Sequence, residues 1–418
     1  MTVQSRISKI LLIFATLLFL TGCWDQEEID RRAYVLGIGL DKSEHNGAIK
    51  VTYLISNPEA GSTQQGGGSQ EPSHEIITLD ATSFIHSENI ANAVIAKPIT
   101  YDILDLLIVS EELAKEGNFI RWIYDATKDR EVRRDTKLIV TKEKAIEFIK
   151  QNKPKLETRR HEYFEIMFNN ATGIGLIPNS LIHNFFRITE ADADLFITAL
   201  ATTKKDEESA KANNDSELIA GKMNVTGKTN PAQFLGSAVF KEGKMIGTLT
   251  VEETRLVQLV NRAMEKPSFL AAIPDPFMED YWITARYTQL QNPDIKVDVT
   301  KKPPKIEVNL SLQVDVLTDH SMVNYADNKN KRNELKKHLI KRLEKRFEAL
   351  VTRTQKEFKG QPFGFSLAAR KHFTTIPQWE NFDWMKTYPD AEVVMKVDIK
   401  YGEFGRQSEL PNYQKVRD

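Results

Sequence analysis

The sequence predicts an α+β protein of three domains, in which mixed or antiparallel sheets are packed by helices and an N-terminal signal precedes the first domain. Three patterns predict this class. Alternating apolar and polar residues indicate strands, most clearly over 234–250 and 305–318. A helical period runs through about 328–359. Polar stretches at 57–74 and 202–230 interrupt these patterns and are interpreted as a flexible loop and an exposed loop.

The first domain is predicted to be discontinuous, with residues 24–56 joined to residues 193–270. Ala33–Asp41 and Ala48–Ser56 have the composition of two strands around the turn Glu44–Gly47. Two strands are too few to be stable alone in water. We therefore expect them to share a sheet with the later segment.

Residues 75–190 are predicted to form an inserted second domain of the α/β type. Two strand–helix units carry this prediction: Ile103–Ser110 runs into Glu111–Glu116, and Thr136–Thr141 runs into Lys142–Gln151. Ser110 and Thr141 stand where a helix N-cap is expected, and both residue types are favoured there.

The chain then returns to the first domain. A strand is predicted at Ala193–Ala201 and a hairpin at Phe234–Thr250, with its turn at Lys241–Lys244. A helical period follows over Glu252–Lys266. These elements supply the partners that the first two strands need.

Residues 280–418 are predicted to form the C-terminal domain. Its elements are strands at Tyr281–Gln289, Lys305–Thr318 and Glu392–Tyr401, and one long helix at about 328–359 that Gly360 and Pro362 end. Trp379 and Trp384 are interpreted as core residues. One long helix lying on a sheet buries the apolar side of both.

The N-terminus has the three parts of a secretory signal peptide over residues 1–22. Arg6 and Lys9 precede the apolar run Ile10–Leu20, which is too short for a spanning helix of about 20 residues. The run ends in Leu-Thr-Gly-Cys, which resembles the lipobox of bacterial lipoproteins, and Cys23 is the only cysteine. We interpret Cys23 as the site of lipid attachment, because two acyl chains hold a protein stably on a membrane.

Composition and motifs exclude several functions. The net charge of −1 does not favour nucleic acid as a partner. Gly227-Lys228-Thr229 lacks the leading glycine of a phosphate-binding loop, and Gly173-Ile174-Gly175 lacks the third glycine of a dinucleotide site. The eight histidines are far apart in the sequence. We therefore predict no catalytic residue, no metal site, no cofactor and no enzymatic activity.

The stretch Lys329–Arg346 contains nine Lys or Arg residues and two Glu residues. It has two interpretations. One is the solvated side of an amphipathic helix. The other is attraction to an anionic lipid surface, which contributes about 1 kcal/mol per charge.

Three blocks of residues resemble the Ger(x)C family of spore germination lipoproteins. The first is Cys23-Trp24-Asp25 with Glu28-Ile29 and Arg32-Ala33, leading into Val35–Asp41. The second is Gly236–Lys241 with Gly243–Leu249. The third is the C-terminal order of Pro377, Trp379, Trp384, the Val393–Ile399 strand and Gly402.

This resemblance implies three α+β domains and a non-enzymatic subunit of a nutrient germinant receptor. It also implies two integral membrane partners, one with large soluble parts and one permease-like, and a location on the outer face of the membrane, the inner membrane in spores. Which nutrient is sensed, and whether this subunit binds it, stays open. Two alternatives remain: a solute-binding lipoprotein of a transporter, with two similar lobes around a cleft, and an extracytoplasmic enzyme such as a cell-wall hydrolase.

Overall fold

A computed structural model describes residues 31–56 and 74–405, except residues 125, 127, 129, 158, 210–213 and 279. The predicted signal, Cys23 and nearly all of the loop 57–74 therefore lie outside the described residues. The described chain confirms a mixed α+β fold, with two sheets packed by helices. Within these ranges no helix is both long and apolar enough to cross a membrane.

The first sheet has nine strands in the described chain. These are β1 (Ala33–Lys42), β2 (Ile49–Ser56), β3 (His74–Ala81), β4 (Ile99–Thr100), β5 (Leu106–Ser110), β6 (Lys137–Thr141), β7 (Phe196–Thr202), β8 (Gln233–Lys241) and β9 (Lys244–Leu249). They lie in the order β3-β2-β1-β5-β6-β7-β8-β9, and β4 pairs with the start of β1. Because β1, β5, β6 and β7 are parallel, their amino ends meet at one edge of the sheet.

Helices cover both faces of this sheet. They are α1 (Phe84–Ala91), α2 (Glu111–Ala114), α3 (Phe119–Tyr124), α4 (Ala145–Gln151), α5 (Arg160–Gly173), α6 (Ile182–Ala191) and α7 (Val251–Val260). Along β5, Leu106 and Ile108 pack in a cluster with α4 and α5. Leu107 and Val109 pack on the other face, with α1 and α6. This alternation is the period of two expected of a strand, with both faces buried.

The second sheet has five strands in the described residues: β10 (Phe269–Pro274), β11 (Trp282–Gln289), β12 (Asp294–Asp298), β13 (Lys305–Asp319) and β14 (Glu392–Phe404). β13 is central, antiparallel to β11 and β12 and parallel to β14. The long helix α8 (Lys329–Arg353) lies on β14 and continues in a wider turn at Thr354–Phe358. Three short helices follow: α9 (Phe365–Ala369), α10 (Ile376–Phe382) and α11 (Trp384–Thr387).

Several predicted elements are present in the structure. The hairpin β8–β9 turns at Glu242 and Gly243, whose φ values of 50° and 78° are those of a two-residue hairpin turn with left-handed backbone. The apolar face predicted for the long helix is buried at Leu335, Leu339 and Phe347. Trp384 is also buried, as its interpretation as a core residue requires.

The segment 75–190 does not have a sheet of its own in the described chain. Its strands β5 and β6 lie between β1 and β7. Residues 24–56, 75–190 and 193–270, which the sequence predicts to form two domains, therefore contribute to one sheet. Strand pairing is decided by contacts between residues that are far apart in the sequence, and these contacts leave no local pattern.

The caps of the two predicted strand–helix units also differ from the prediction. Neither Ser110 nor Thr141 caps a helix through its side chain. Instead, the backbone N–H groups of Ala145 and Ile146 donate to the carboxylate of Asp41, at 2.7 and 3.1 Å. Asp41 ends the buried part of β1 and holds the start of α4, where a negative charge is favourable. Burial nevertheless raises the pKa of this carboxyl above its ordinary value.

The polar stretch 202–230 is less exposed than predicted. Leu218 and Ala220 are buried in the core of the first sheet. The backbone N–H of Ala220 donates to the carbonyl of Leu235 in β8. The stretch therefore covers part of this sheet, although its composition is that of a loop.

Candidate functional site

Helix α7 lies between the two sheets, and eight of its ten residues are buried. It begins with a capping box: the Thr250 hydroxyl accepts from the backbone N–H of Glu253, and the Glu253 carboxylate accepts from that of Thr250. Thr254 is hydrogen-bonded to Ser237 of β8, at 2.6 Å. Leu256 and Leu259 belong to the core that contains the second sheet. The helix therefore joins the two sheets.

Ion pairs connect the start of α7 to the long helix α8. Glu252 lies 3.4 Å from both Arg342 and Arg346. Glu253 lies 2.7 Å from Arg353, whose guanidinium also donates to the carbonyl of Thr248. Burial raises the pKa of Glu252, and the two neighbouring arginines act in the opposite direction. Such half-buried pairs fix the position of one helix against the other more than they add stability.

Arg255 of α7 lies deeper in the same junction. Its guanidinium is 2.6 Å from the carboxylate of Asp215 and 4.8 Å from the ring centre of Phe269 in β10. The cavity around these groups has a volume of ≈ 40 Å³. The arrangement joins the two sheets.

Asp194, just before β7, forms a second link between the two parts of the chain. Its carboxylate accepts hydrogen bonds from Gln361 and, at 2.5 Å, from Ser366. The backbone N–H of Leu195 donates to the carbonyl of Gln361 at 2.8 Å. Burial raises the pKa of Asp194 to about 6, although both hydrogen bonds and Arg187 act to lower it. This carboxyl therefore changes charge in mildly acidic solution, inside the junction.

A cavity of ≈ 150 Å³ lies beside Asp194. Its polar lining comes from α6 and from the segment after α7, including Asn184, Arg187 and Asn261. Asn261 donates to the carbonyl of Pro362 at 2.7 Å. The cavity wall is thus built from both parts of the chain.

The residues that the sequence singled out are widely separated in the structure. Cys23 lies outside the described residues. Lys337, Lys341 and Lys345 form an exposed row along α8, as their spacing of four residues requires. Lys336 lies beside this row, 3.4 Å from Asp398. Attraction of the row to lipid stays a prediction.

Within the part of the chain that the structure describes, no group of three or more His, Cys, Asp or Glu side chains could hold a metal ion. Trp384 and Trp379 stack at 6.3 Å between ring centres, inside the core of the second sheet. Burial lowers the pKa of the half-buried His338.

Sequence reasoning missed the junction. One signal was available, because Thr250 followed three residues later by Glu253 is the pattern of a capping box. The buried Arg255 and the half-buried Asp194 had no such signal, since charged residues are seldom buried and their partners here are distant in sequence.

Two models of related families match the chain. One, described as a spore germination protein N-terminal domain, matches residues 25–202. The other, described as spore germination B3/GerAC like, C-terminal, matches residues 235–405. The boundary falls between β7 and β8, which pair in the first sheet. The C-terminal match therefore supplies two strands to the sheet of the N-terminal match.

Similar proteins cover nearly the whole chain. Putative spore germination protein YfkR of Bacillus subtilis (strain 168) is 21% identical over 93% of this chain and 94% of its own length. Spore germination protein B3 of the same strain is 21% identical, over 95% and 98%. The crystal structure of the GerBC protein aligns with a TM-score of 0.52 and 16% identity, over 90% of this chain and 99% of that one. This last likeness shows the fold.

Proposed function

The chain belongs to the Ger(x)C family of spore germination proteins, and from that premise we propose that it is the lipid-anchored, non-enzymatic subunit of a nutrient germinant receptor. The observation that carries this proposal is the family match over both parts of the chain, directly behind a lipobox cysteine. Such a subunit would work with two integral membrane partners, one with large soluble parts and one permease-like. The division into three domains, residues 24–56 with 193–270, 75–190 and 280–418, stays a prediction, and in the described structure the first two contribute strands to the same nine-stranded sheet.

Attachment to the membrane is proposed at Cys23. A diacylated cysteine holds a protein at a membrane surface without a spanning helix. In the mature chain Cys23 would be the first residue, and seven residues separate it from Arg31, where the described structure begins. The body would therefore be held on the outer face of the membrane, close to its partners.

The junction around α7 connects the two parts of the chain. Its ion pairs and the Asp194 link join them at two places. The transporter alternative predicts two similar lobes, whereas the described chain has a nine-stranded and a five-stranded sheet of different order.

The experiment measures lipid attachment at Cys23 and the germination response in the same strains. Spores carrying the wild-type chain or Cys23→Ala as the only copy are labelled with a radioactive fatty acid and separated into membrane and soluble fractions. Because the chain has one cysteine, a labelled diacylglyceryl group linked through a cysteine thiol can be at no other residue. We expect the variant to lose the label, to leave the membrane or stay unprocessed, and to abolish the response to nutrients.

The matched control is Ser209→Ala, a change of similar size at an exposed residue. It should keep the label, the membrane fraction and the germination rate. An unlabelled Cys23→Ala product of mature size that stays in the membrane would contradict the anchor. Normal germination of spores without the chain would contradict the receptor role.

A further inference from the structure

An apolar loop lies at the edge of the first sheet where the chain enters it. The loop is Asn92–Pro98, between α1 and β4, and we call it the entry loop. Lys97 is its one charged residue. Val94 is 72% exposed, and Ala93 and Ala96 are exposed as well. Single apolar residues are common on protein surfaces, but a group of exposed apolar residues with one charge among them marks a contact surface.

Apolar residues next to the two ends of the entry loop extend this surface. Ile90, in the last turn of α1, is 38% exposed. Ile103, which closely follows the two-residue strand β4, is 42% exposed. Asp102 beside it is paired with Arg32 at 3.4 Å, so its charge is balanced within the chain.

The entry loop is held in place by hydrogen bonds, so the exposure of Val94 is built into the fold. The backbone N–H groups of Val94 and Ile95 donate to the carbonyl of Ala91, both at 2.9 Å. Ile95 is buried in the core of the first sheet. The side-chain oxygen of Asn92 accepts from the backbone N–H of Ile99 at 3.3 Å. Val94 therefore cannot move into the core without breaking these contacts.

The entry loop contacts the first described residues that follow the proposed anchor. The backbone N–H of Ala33, the first residue of β1, donates to the carbonyl of Pro98 at 2.8 Å. The next two residues form β4, which pairs with Ala33 and Tyr34. From Cys23 to Arg31 the chain makes eight steps between Cα atoms, which cover at most about 29 Å. A diacylated Cys23 would therefore keep the entry loop close to the lipid headgroups.

We propose that the entry loop inserts into the membrane surface and so orients the anchored body on the lipid. Val94 and the apolar residues beside it would lie at the boundary between headgroups and acyl chains, where interfacial segments bury their apolar side chains. The favourable contribution is the removal of apolar area from water, so it does not depend on the charge of the lipid. This inference rests on the proposed anchor at Cys23, because the attached lipid brings the loop to the surface.

The test uses the lipidated mature chain, residues 23–418, reconstituted into phosphatidylcholine vesicles without other receptor subunits. Since lipid blocks the one natural cysteine, Val94→Cys introduces a single free thiol. This thiol is labelled with the polarity-sensitive fluorophore NBD, and the vesicles contain lipid with a nitroxide on its acyl chain. We expect the emission to shift to shorter wavelength and the nitroxide to quench it.

The matched control is Val225→Cys with the same label. Val225 is 44% exposed and lies in the stretch between β7 and β8. This stretch leaves and re-enters the sheet at Thr202 and Gln233, which pair at the carboxyl end of β7. Because β1, β5, β6 and β7 are parallel, that end is opposite to the entry loop. We expect this label to stay in water and the nitroxide lipid to leave its emission unchanged.

A second pair of variants measures the contribution of Val94 itself. A label at Ala93→Cys should also be quenched, and the same label is then followed in the Val94→Asp background. Withdrawing one CH₂ group from lipid lowers the ratio of inserted to free loop about fourfold. Val94→Asp removes two methyl groups and adds a charge, so we expect this ratio to fall more than about tenfold. Val225→Asp should leave the Ala93 label quenched, and melting temperature checks that every variant folds.

The outcomes separate this inference from the proposed function. In lipidated protein, equal quenching at Val94 and Val225, or none at either, would overturn the contact of the entry loop with lipid and leave the anchor intact. A Val94 label that is quenched in neither vesicle leaflet but shifts to shorter wavelength when the other receptor subunits are added would show that the loop contacts a protein instead. Protein without lipid at Cys23 would contradict the proposed function, and this inference with it. Quenching confined to the entry loop and lost in Val94→Asp supports the proposal.

Discussion

Replacement of Asp194 by Asn tests the junction between the two parts of the chain. The asparagine keeps the shape of the side chain: its oxygen can accept from Gln361, and its amide can donate to the hydroxyl of Ser366. It removes the ability to ionise and one of the two oxygens that accept hydrogen bonds at this place. We expect the variant to fold, and its stability to depend less steeply on pH.

The direction follows from the raised pKa. In the folded chain the pKa of Asp194 is about 6, whereas the ordinary value is 3.8. Between these values the folded state holds a proton that the unfolded state has released, so folding is weakened as the pH rises from about 4 to about 6. The difference corresponds to roughly 3 kcal/mol, at 1.36 kcal/mol per pKa unit. The difference in unfolding free energy between Asp194→Asn and the wild type should therefore change with pH. It should shift in favour of the variant by about this amount between pH 4 and pH 7.

The assay is urea unfolding of the mature chain with Cys23→Ser, followed by tryptophan fluorescence between about pH 4 and pH 7.5. Comparing the variant with the wild type at each pH cancels the titration of other groups. Ser366→Ala provides a matched test, because its hydroxyl lowers the pKa of Asp194. Without this hydroxyl the pKa of Asp194 should rise, and the pH range over which stability changes should move to higher pH. A difference in stability between Asp194→Asn and wild type that is constant from pH 4 to pH 7 would refute a half-buried carboxyl that titrates at this place.

Three further changes test other parts of the fold, each by melting temperature. Gly243→Val should lower stability by more than about 2 kcal/mol, since φ is 78° there and a Cβ would lie 2.8 Å from Ile120; Gly47→Val, at φ 77° with open space around it, should cost less. Arg353→Met should cost about 1–3 kcal/mol by leaving Glu253 without its guanidinium partner, and Arg353→Lys should recover part of it. Trp384→Ala should cost about 3–5 kcal/mol, because the ring is buried. Equal effects of the two glycine changes, or none from the other two, would contradict these contacts.

Germination itself provides a test of the receptor role. Single alanine changes at the histidines, such as His183→Ala on the surface and His338→Ala beside the second sheet, should leave the germination rate within a few-fold of wild type. The described residues contain no metal-ligating cluster that would make one of these imidazoles essential. Response to nutrient and the abundance of each receptor subunit are measured in the same spores. A histidine change that abolishes the response at normal subunit abundance would show that this chain binds a ligand or performs chemistry.

The sequence by itself determined the local elements and their class. The hairpin at 234–250, the strand at 305–318 and the apolar face of the helix at 328–359 were readable, because turn chemistry and hydrophobic period involve residues close together in the chain. The export signal and its cysteine are predicted from the same kind of short pattern. A mixed α+β fold follows from the order of these elements.

Only the tertiary structure decided how the elements meet. β5 and β6 entered the middle of the first sheet, and Asp41 of β1 became the cap of a helix that begins more than a hundred residues later. Asp194 found its partners in the segment after α8. Each of these contacts replaces water around a polar group with a partner that is distant in sequence. Its free energy exists only once both segments are in place, so no local pattern of residues records it.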